Sequence, residues 1–471
     1  MKPNLSQVHS LRAPTRVRYG VLGFACSLSM ITYLDRVCMG TVAPTVKAEF
    51  SLTDDQLGLL FTAFALAYAM FEVPSGWLGD VFGPRKTLIR IVLWWSVFTS
   101  LTGCIWKFTL DSGYRIPLPH WLSGDGAEIP LLINGFLLLL LVRFLFGMGE
   151  AGAYPNIARS FHNWFPFSER GFAQGAVWMA GRFAGGMTPL VVTGLLMLVQ
   201  WRHTFWIFGS LGLAWCFFFW RWFCDRPEQK ATVNRAELEL IHGEEGPPEP
   251  AHAAVPWLKL LTNVNLWLLC VMYFCGAYGW YFNITWLPKY LDDHYHVSAA
   301  SSGSWMFSLQ AGAPLLLGSM ACLFGGLLTD AFIRRTGNRK WGRRIFGIIG
   351  HGICAICYFL SMYATSAGVF VLAIALAAFW NDLTMGSAWA SCLDIGKKYS
   401  GIVAGCMNTI GNLGGAAAGF ITGKILVKYG AEYGWRINFF MFGAVYIVAV
   451  LCWLGFDSTK PVIVEPVRTG E

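Results

Sequence analysis

Long apolar runs separated by short polar stretches recur along the whole chain. A helix that spans a bilayer needs ~20 mostly apolar residues. Runs of that length fall at 19–44, 56–78, 88–106, 130–153, 170–198 and 204–223. A polar stretch follows over 224–256, containing the run GEEGPPEP, and six more apolar runs come after it at 258–290, 302–328, 344–364, 368–393, 400–428 and 435–456. The pattern predicts an all-α membrane protein with twelve transmembrane helices. It divides into a first six-helix bundle over 1–223, a linker over 224–256, and a second bundle with its tail over 257–471.

Charge changes this picture by giving it an orientation. Basic residues cluster in the N-terminal tail (Lys2, Arg12, Arg16, Arg18), at Arg85–Lys86, over Arg334–Arg344 and at Lys397–Lys398. The alternate loops, 107–129 and 291–301, are mixed or acidic. Cytoplasmic loops carry the Lys/Arg excess, so both termini and the linker are expected in the cytoplasm. That requires an even number of helices. Only 13% of residues are charged, against roughly 25% in soluble chains, which fits a surface that mostly faces lipid. The net charge of +8 is spread over these loops. It lacks the single patch that would mark a nucleic-acid binder. The 13 cysteines are scattered, and the pair Cys354/Cys357 lies inside an apolar run, where packing is the expected role. The first apolar run follows a basic tail, yet it is long enough to span and is not read as a cleavable leader.

The two halves repeat each other. Gly171, Gly175, Gly181 and Gly185 recur as Gly401, Gly405, Gly411 and Gly415. Trp201–Arg202, Phe205 and Phe208–Gly209 recur as Trp435–Arg436, Phe439 and Phe442–Gly443, and the Gly76–Asp80 spacing recurs as Gly326–Asp330. Repeated halves mark secondary transporters that rock around a central site. The small-xxx-small glycines of the fifth and eleventh segments allow close approach of backbones.

Between the second and third segments the chain reads GWLGDVFGPRKTL. Gly76 permits tight helix packing and Gly83 a turn. Asp80, at a helix end, can pair with a cation or cap a neighbouring helix N-terminus, and Arg85 and Lys86 hold the loop in the cytoplasm. This resembles the G-x-x-x-D-x-x-G-x-R-K signature of the major facilitator superfamily, with Val81 where that family often has a basic residue. The resemblance implies the major facilitator fold, with two pseudo-symmetric six-helix bundles, and a gating role for Gly76, Asp80, Gly83, Arg85 and Lys86.

Ionisable side chains at bilayer depth are costly and usually functional. Here they are Asp35 and Arg36 in the first segment, Arg143 and Glu150 in the fourth, Arg182 in the fifth and Asp382 in the tenth. Adjacent residues on a helix point ~100° apart, so Asp35 and Arg36 cannot neutralise each other well. Arg143 and Glu150 sit ~10 Å apart along one helix, too far for a direct pair. The economical arrangement sets Asp35 against Arg143, with Glu150 at another depth, so that a proton can be handed along as the cavity changes sides. Arginine's planar fork matches a carboxylate. Arg36 and Arg182 therefore imply an anionic substrate, and Tyr33, Tyr68, Tyr278, Tyr281, Asn381, Asp382, Asn408 and Asn412 fit a hydroxylated one.

The pieces YLDR, RFLFGMGE, GAYPNIARSFHNWFPFSERG (152–171), YFNITWLPKYL (281–291) and MNTIGNLGG (407–415) together resemble the anion:cation symporter family within that superfamily. That family includes bacterial galactonate, glucarate and hexuronate transporters, sialin and the vesicular glutamate transporters. The resemblance implies that Asp35 and Glu150 are protonation sites, that Arg143 partners Asp35, and that Arg36 binds the substrate carboxylate with Tyr33 and Tyr68 nearby. Where the galactonate branch uses a glutamine of the fifth helix, this chain has Gly181 followed by Arg182, so the substrate contact there has changed.

Other features weigh less. Asp292, Asp293, His294 and His296 lie in an outer loop without a third rigid ligand, and no metal is expected there. Glu72 stands near the inner end of the second segment, either pairing with basic loops or facing the cavity. The 107–129 insertion, with Trp121, has the character of an external cap. No P-loop and no HExxH motif occurs, so neither ATP drive nor an enzyme is indicated. The expectation is a monomeric secondary transporter, without cofactor, in a bacterial inner membrane. It would move an organic anion, a sugar acid such as a hexuronate, galactonate or glucarate, together with protons. Sodium coupling, or exchange of another carboxylate or a phosphate-type anion, is the alternative.

Overall fold

The computed structural model describes residues 13–117, 128–243, 255–297 and 304–463. Lys2, Arg12, Trp121 and most of the GEEGPPEP run lie outside them. The first half contains α1 (Arg18–Phe50), α2 (Asp54–Phe82), α3 (Pro84–Thr102), α4 (Gly135–Glu150), α5 (Ala153–Trp164), α6 (Arg170–Leu196) and α7 (Trp201–Trp222). A short α8 (Arg235–His242) lies in the linker. The second half contains α9 (Val264–Thr285), α10 (Leu287–Tyr295), α11 (Ser304–Thr336), α12 (Arg339–Ser361), α13 (Ala367–Leu383), α14 (Met385–Gly396) and α15 (Ser400–Gly455). In each half one pass is a broken helix (α4 with α5, α13 with α14), and α15 divides at Gly430 into two passes. With α9 and α10 also forming one pass, the described helices make six passes in each half.

Local chemistry sets these boundaries. Thr53 and Gln56 form a reciprocal capping box at the start of α2. Gly83 has φ +89°, which lets α2 turn directly into α3. Gly152, φ +88°, breaks α4 from α5. Asn134, Asn263, Asn338 and Ser366 each accept a backbone N–H at the start of a helix. Among the described residues eight helical stretches are long and apolar enough to cross a membrane, one of them, Ala367–Gly430, running through two passes. The passes outside those eight are α3, which opens on Arg85, Lys86 and Arg90; α6, diluted by Arg170, Arg182 and glycines; and α9, rich in tyrosine.

Among the described residues one element is not helical. The 107–129 insertion, expected as a cap, and the first residues of the apolar run 130–153, expected as helix, contribute an antiparallel hairpin, β1 (Thr109–Pro117) with β2 (Glu128–Asn134), pairing Thr109 with Asn134 and Ile116 with Ile129. It stands at the end of the bundle away from the basic loops. Below, the two ends are the hairpin end and the basic end.

The halves meet most extensively along two helix pairs. α6 packs on α11, and α2 packs on the 400–430 arm of α15. Both contacts use the repeated glycines. A Cβ on Gly76 would lie 2.3 Å from the Gly401 carbonyl oxygen, and one on Gly326 would lie 2.2 Å from that of Gly171. The two crossings are images of each other, since Gly76 repeats as Gly326 and Gly171 as Gly401. Gly76→Val is therefore expected to open the basic end. Spin labels at Lys86 and Arg335 should move to longer separations in that variant. An unchanged distance distribution would show that the close crossing does not hold the halves together.

Candidate functional site

A cavity of about 1290 Å³ lies between the halves. Its walls come from α1 (Tyr33, Arg36), α2 (Phe64, Tyr68), α5 (Tyr154), α6 (Trp178, Arg182), α9 (Tyr273, Trp280, Tyr281, Asn283), α12 (His351), α13 (Asn381) and α15 (Asn408, Asn412). Along α6 the lining runs from Trp178 to Thr193, which is ~22 Å of helix leading to the hairpin end. Toward the basic end the cavity stops at an aromatic floor shared by both halves. Tyr154 stacks on Trp178 at 4.5 Å between centroids, Trp389 packs against both, and its indole N–H donates to the Tyr273 hydroxyl at 3.1 Å.

The buried charges pair differently from the expectation. Arg36 Nε reaches Glu150 Oε1 at 2.7 Å, so the first-segment arginine, not Asp35, meets the fourth-segment charge. Among the described residues no ion pair joins Asp35 to Arg143. Neither Asp35 oxygen receives a hydrogen bond from a described residue, and the charged groups that face it are Glu150 and Arg143. Arg143 instead lies over the rings of Phe146 and Phe64, at 4.8 and 5.1 Å. Glu150 is the last residue of α4, beside the Gly152 break, and Arg143 lies two turns back along the same helix. Arg36 also sits over Tyr68, its guanidinium carbon 4.4 Å from the ring centroid, and its Nη2 has no described partner.

Arg182 is held across the halves. Its Nε and Nη2 each lie 3.2 Å from Asp382, on Oδ2 and Oδ1. Trp280 stacks on the guanidinium at 3.8 Å, and Nη1 donates to the Tyr33 hydroxyl at 3.4 Å. Asp382 does not line the cavity; it lies behind Arg182 and accepts from Asn381 Nδ2 at 3.0 Å. Tyr278 does not line it either. Its ring packs among Phe274 and Phe442, facing the aromatic core of the second half. Period alone could not separate that face of α9 from the one carrying Tyr281, because the helix is aromatic on both.

A second bridge joins Tyr68 to the other half. Asn408 Nδ2 donates to Glu72 Oε1 at 2.8 Å and lies 3.2 Å from the Tyr68 hydroxyl. Glu72 is fully buried, so it belongs to the region around the cavity and not to the basic loops. Tyr281 donates to Asn412 Oδ1 at 3.4 Å. His351 lines the cavity and was not singled out in the sequence. The Trp453 indole N–H donates to its Nδ1 at 3.1 Å, which fixes a neutral ring with Nε2–H directed toward Thr384 Oγ1, 3.4 Å away. The rule that exposed Arg182, an ionisable group inside an apolar run, applies to His351 equally.

At the basic end two aspartates lock the closed crossings. Asp80 accepts the N–H groups of Gly401 (3.0 Å) and Ile402 (2.8 Å) at the start of α15, with Arg159 at 3.5 Å. Asp330 accepts those of Gly171 (3.2 Å) and Phe172 (2.6 Å) at the start of α6. A carboxylate here meets unpaired amides and the positive end of the helix dipole. The second copy, looser in sequence, is the more heavily bonded. Arg343 joins Asp330 (3.0 Å) to Asp394 (2.9 Å), and Asp394 also meets Arg170 at 3.2 Å. Arg85 stays within its own half, donating its N–H to Asp225 at 2.7 Å and its guanidinium to the Trp220 carbonyl. Lys86 is exposed.

The Major Facilitator Superfamily family model matches residues 25–419. A probable sulfoacetate transporter of Cupriavidus necator is 32% identical over 461 residues, covering 97% of each chain. A probable galactarate/D-glucarate transporter of Escherichia coli is 26% identical over 96% of each chain, and a hexuronate transporter of Bacillus subtilis is 26% identical over 95% of this chain and 96% of its own. Among solved structures, the proton:xylose symporter XylE superposes with a TM-score of 0.71 at 14% identity, covering 94% of this chain and 98% of its own. The human organic anion transporter MFSD10 superposes with 0.64 at 12%, covering 93% and 100%. At such identities these two structures speak for the fold alone.

The clamp yields a direct prediction. Asp80→Ala strips two buried amides and Arg159 of their acceptor, a loss on the order of 3 kcal/mol. The purified variant should unfold at a clearly lower temperature than wild type. Asp80→Asn, which keeps one acceptor oxygen, should fall between. Equal midpoints for all three proteins would remove the clamp from the account.

Proposed function

This chain belongs to the major facilitator superfamily, whose members are transporters rather than enzymes, and on that premise we propose that it carries a small organic anion with protons by alternating access. The observation that carries this reading is the Arg36–Glu150 pair at the cavity wall. An anion entering from the hairpin end meets Arg36, whose Nη2 is unsatisfied. If the anion takes the guanidinium fork, Glu150 loses its partner. A buried carboxylate left without counter-charge costs several kcal/mol, and a proton removes that cost. Anion binding and proton uptake are thereby coupled. Asp35, facing Glu150 and Arg143, is the second carboxylate of the relay, and Arg143 supplies its compensating charge. Release follows when the Asp80 and Asp330 clamps open and the aromatic floor parts.

The substrate class is a sugar acid. Tyr33, Tyr68, Tyr281, Asn381, Asn408 and Asn412 offer hydroxyl and amide partners around the arginines, and relatives named for galactarate, D-glucarate and hexuronate support it. A sulfonated carboxylate is the second reading, favoured by the 32% identity with a probable sulfoacetate transporter. By the excess of basic residues, the basic end and both termini face the cytoplasm of a bacterial inner membrane. The halves 1–223 and 257–471 act as the two rocking bodies of a monomer, joined by 224–256.

Proteoliposomes test this. An inward proton gradient should drive accumulation of glucarate, a hexuronate or sulfoacetate, and a sodium gradient should not. Glu150→Gln should retain counterflow but lose proton-driven accumulation, and Arg36→Ala should lose anion binding. Accumulation driven by sodium alone, or wild-type accumulation in both Asp35→Asn and Glu150→Gln, would refute the coupling.

A further inference from the structure

The two cavity arginines are held in matching ways by carboxylates at matching places. α5 and α14 each have 12 residues, and α14 begins 232 residues after α5. Asp382 likewise lies 232 residues after Glu150. Both carboxylates stand three residues before the second piece of a broken helix, and both are fully buried. Glu150 holds Arg36 at 2.7 Å, and Asp382 holds Arg182 through two contacts of 3.2 Å. Both arginines border one tyrosine. The Arg36 guanidinium lies 5.9 Å from the Tyr33 ring centroid, while Arg182 Nη1 lies 3.4 Å from its hydroxyl. Both arginines line the same cavity.

We infer that the cavity takes a dianion, one anionic group on Arg36 and the other on Arg182, and that Asp382, the counterpart of Glu150, gives up its arginine and takes up a second proton. This rests on the proton-coupled anion reading above and deepens it. The charge balances. Before binding, the site holds two internal ion pairs. Afterwards it holds two arginine–substrate pairs and two neutral carboxyls, so the dianion and two protons add no net charge. A second proton is needed because, among the described residues, Asp382 pairs with no cation other than Arg182. Its further titratable neighbours are Cys322 on α11, Cys354 on α12 and Tyr446 on the far arm of α15, and His351 of α12, held neutral by the Trp453 N–H, reaches Thr384 two residues along. Glu150 differs in one respect. It also faces Asp35 of α1, Arg143 of its own helix, Tyr68 of α2 and Tyr154 of α5, so its proton has a neighbouring carboxylate to pass to. Asp382 has none among the described residues.

The test is affinity against pH on the purified protein, with glucarate and sulfoacetate as dianions and glucuronate as the monoanion. Where the carboxylates titrate, dianion affinity should weaken with rising pH by up to about 100-fold per unit, and glucuronate affinity by about tenfold. Asp382→Asn, which imitates the protonated state, should reduce the dianion slope to about tenfold per unit. Asp382→Glu should restore it. Equal slopes for glucarate and glucuronate in wild type would overturn the inference, as would an unchanged dianion slope in Asp382→Asn or binding of glucuronate with neither dianion. The absence of pH dependence for every probe, or of any anion binding, would instead defeat the broader reading.

Discussion

A guanidinium inside a low-dielectric bundle must have a counter-charge at every step, and most of this structure follows from that requirement. Moving an ion out of water costs several kcal/mol unless a partner compensates it. Four described arginines at the centre and basic end obey the rule, Arg36 with Glu150, Arg182 with Asp382, Arg159 with Asp80, and Arg343 with Asp330 and Asp394, while buried Arg143 lies over the rings of Phe146 and Phe64 instead. Where the partner is internal and shut away, as at Arg343, the pair fastens the fold. Where the arginine also lines the cavity, the partner can be exchanged for a substrate. The same physics thus serves as a lock at one end and as a binding site in the middle.

The two uses are tied together by the twofold repeat. The starts of α6 and α15 are capped by aspartates from the opposite half, and the same two helices continue up the cavity wall, carrying Arg182 on one and Asn408 and Asn412 on the other. A change in how the arginines are satisfied therefore acts on helices whose feet are clamped to the other half. The halves are alike in frame. They are also more alike in chemistry than the crowding of charges in the first half suggests, because Asp382 occupies the place in the second half that Glu150 holds in the first.

The frame was legible in the sequence because it rests on local, repeated features. Apolar runs, glycines at fixed spacing and the Gly76–Asp80 element each report a helix or a close crossing without knowledge of the rest. Arg36 and Arg182 were legible as cavity residues because a charge inside an apolar run has few places to go. Who pairs with whom was not. Helix spacing set Asp35 against Arg143, but the ion pair formed among the described residues is Arg36 with Glu150, and neither Asp35 oxygen receives a hydrogen bond. Tyr278 and Tyr281 could not be told apart on an all-aromatic helix. His351 lies inside an apolar run as Arg182 does, so its place is legible, whereas its partner Trp453, 102 residues later, is not. The β1–β2 hairpin was hidden because β1 lies in an insertion that reads as loop, while residues 130–134 of β2 continue into the apolar run 130–153.

In the proposed cycle an anion displaces an internal carboxylate from its arginine, and the carboxylate then takes a proton. Proton uptake on binding measures this with no membrane and no gradient. The purified protein in weakly buffered solution, with a pH-indicating dye, is titrated with glucarate or sulfoacetate. Net uptake of protons from solution in step with binding, saturating when the site is full, is the expected result. Saturable binding of either anion with no proton taken up would contradict it.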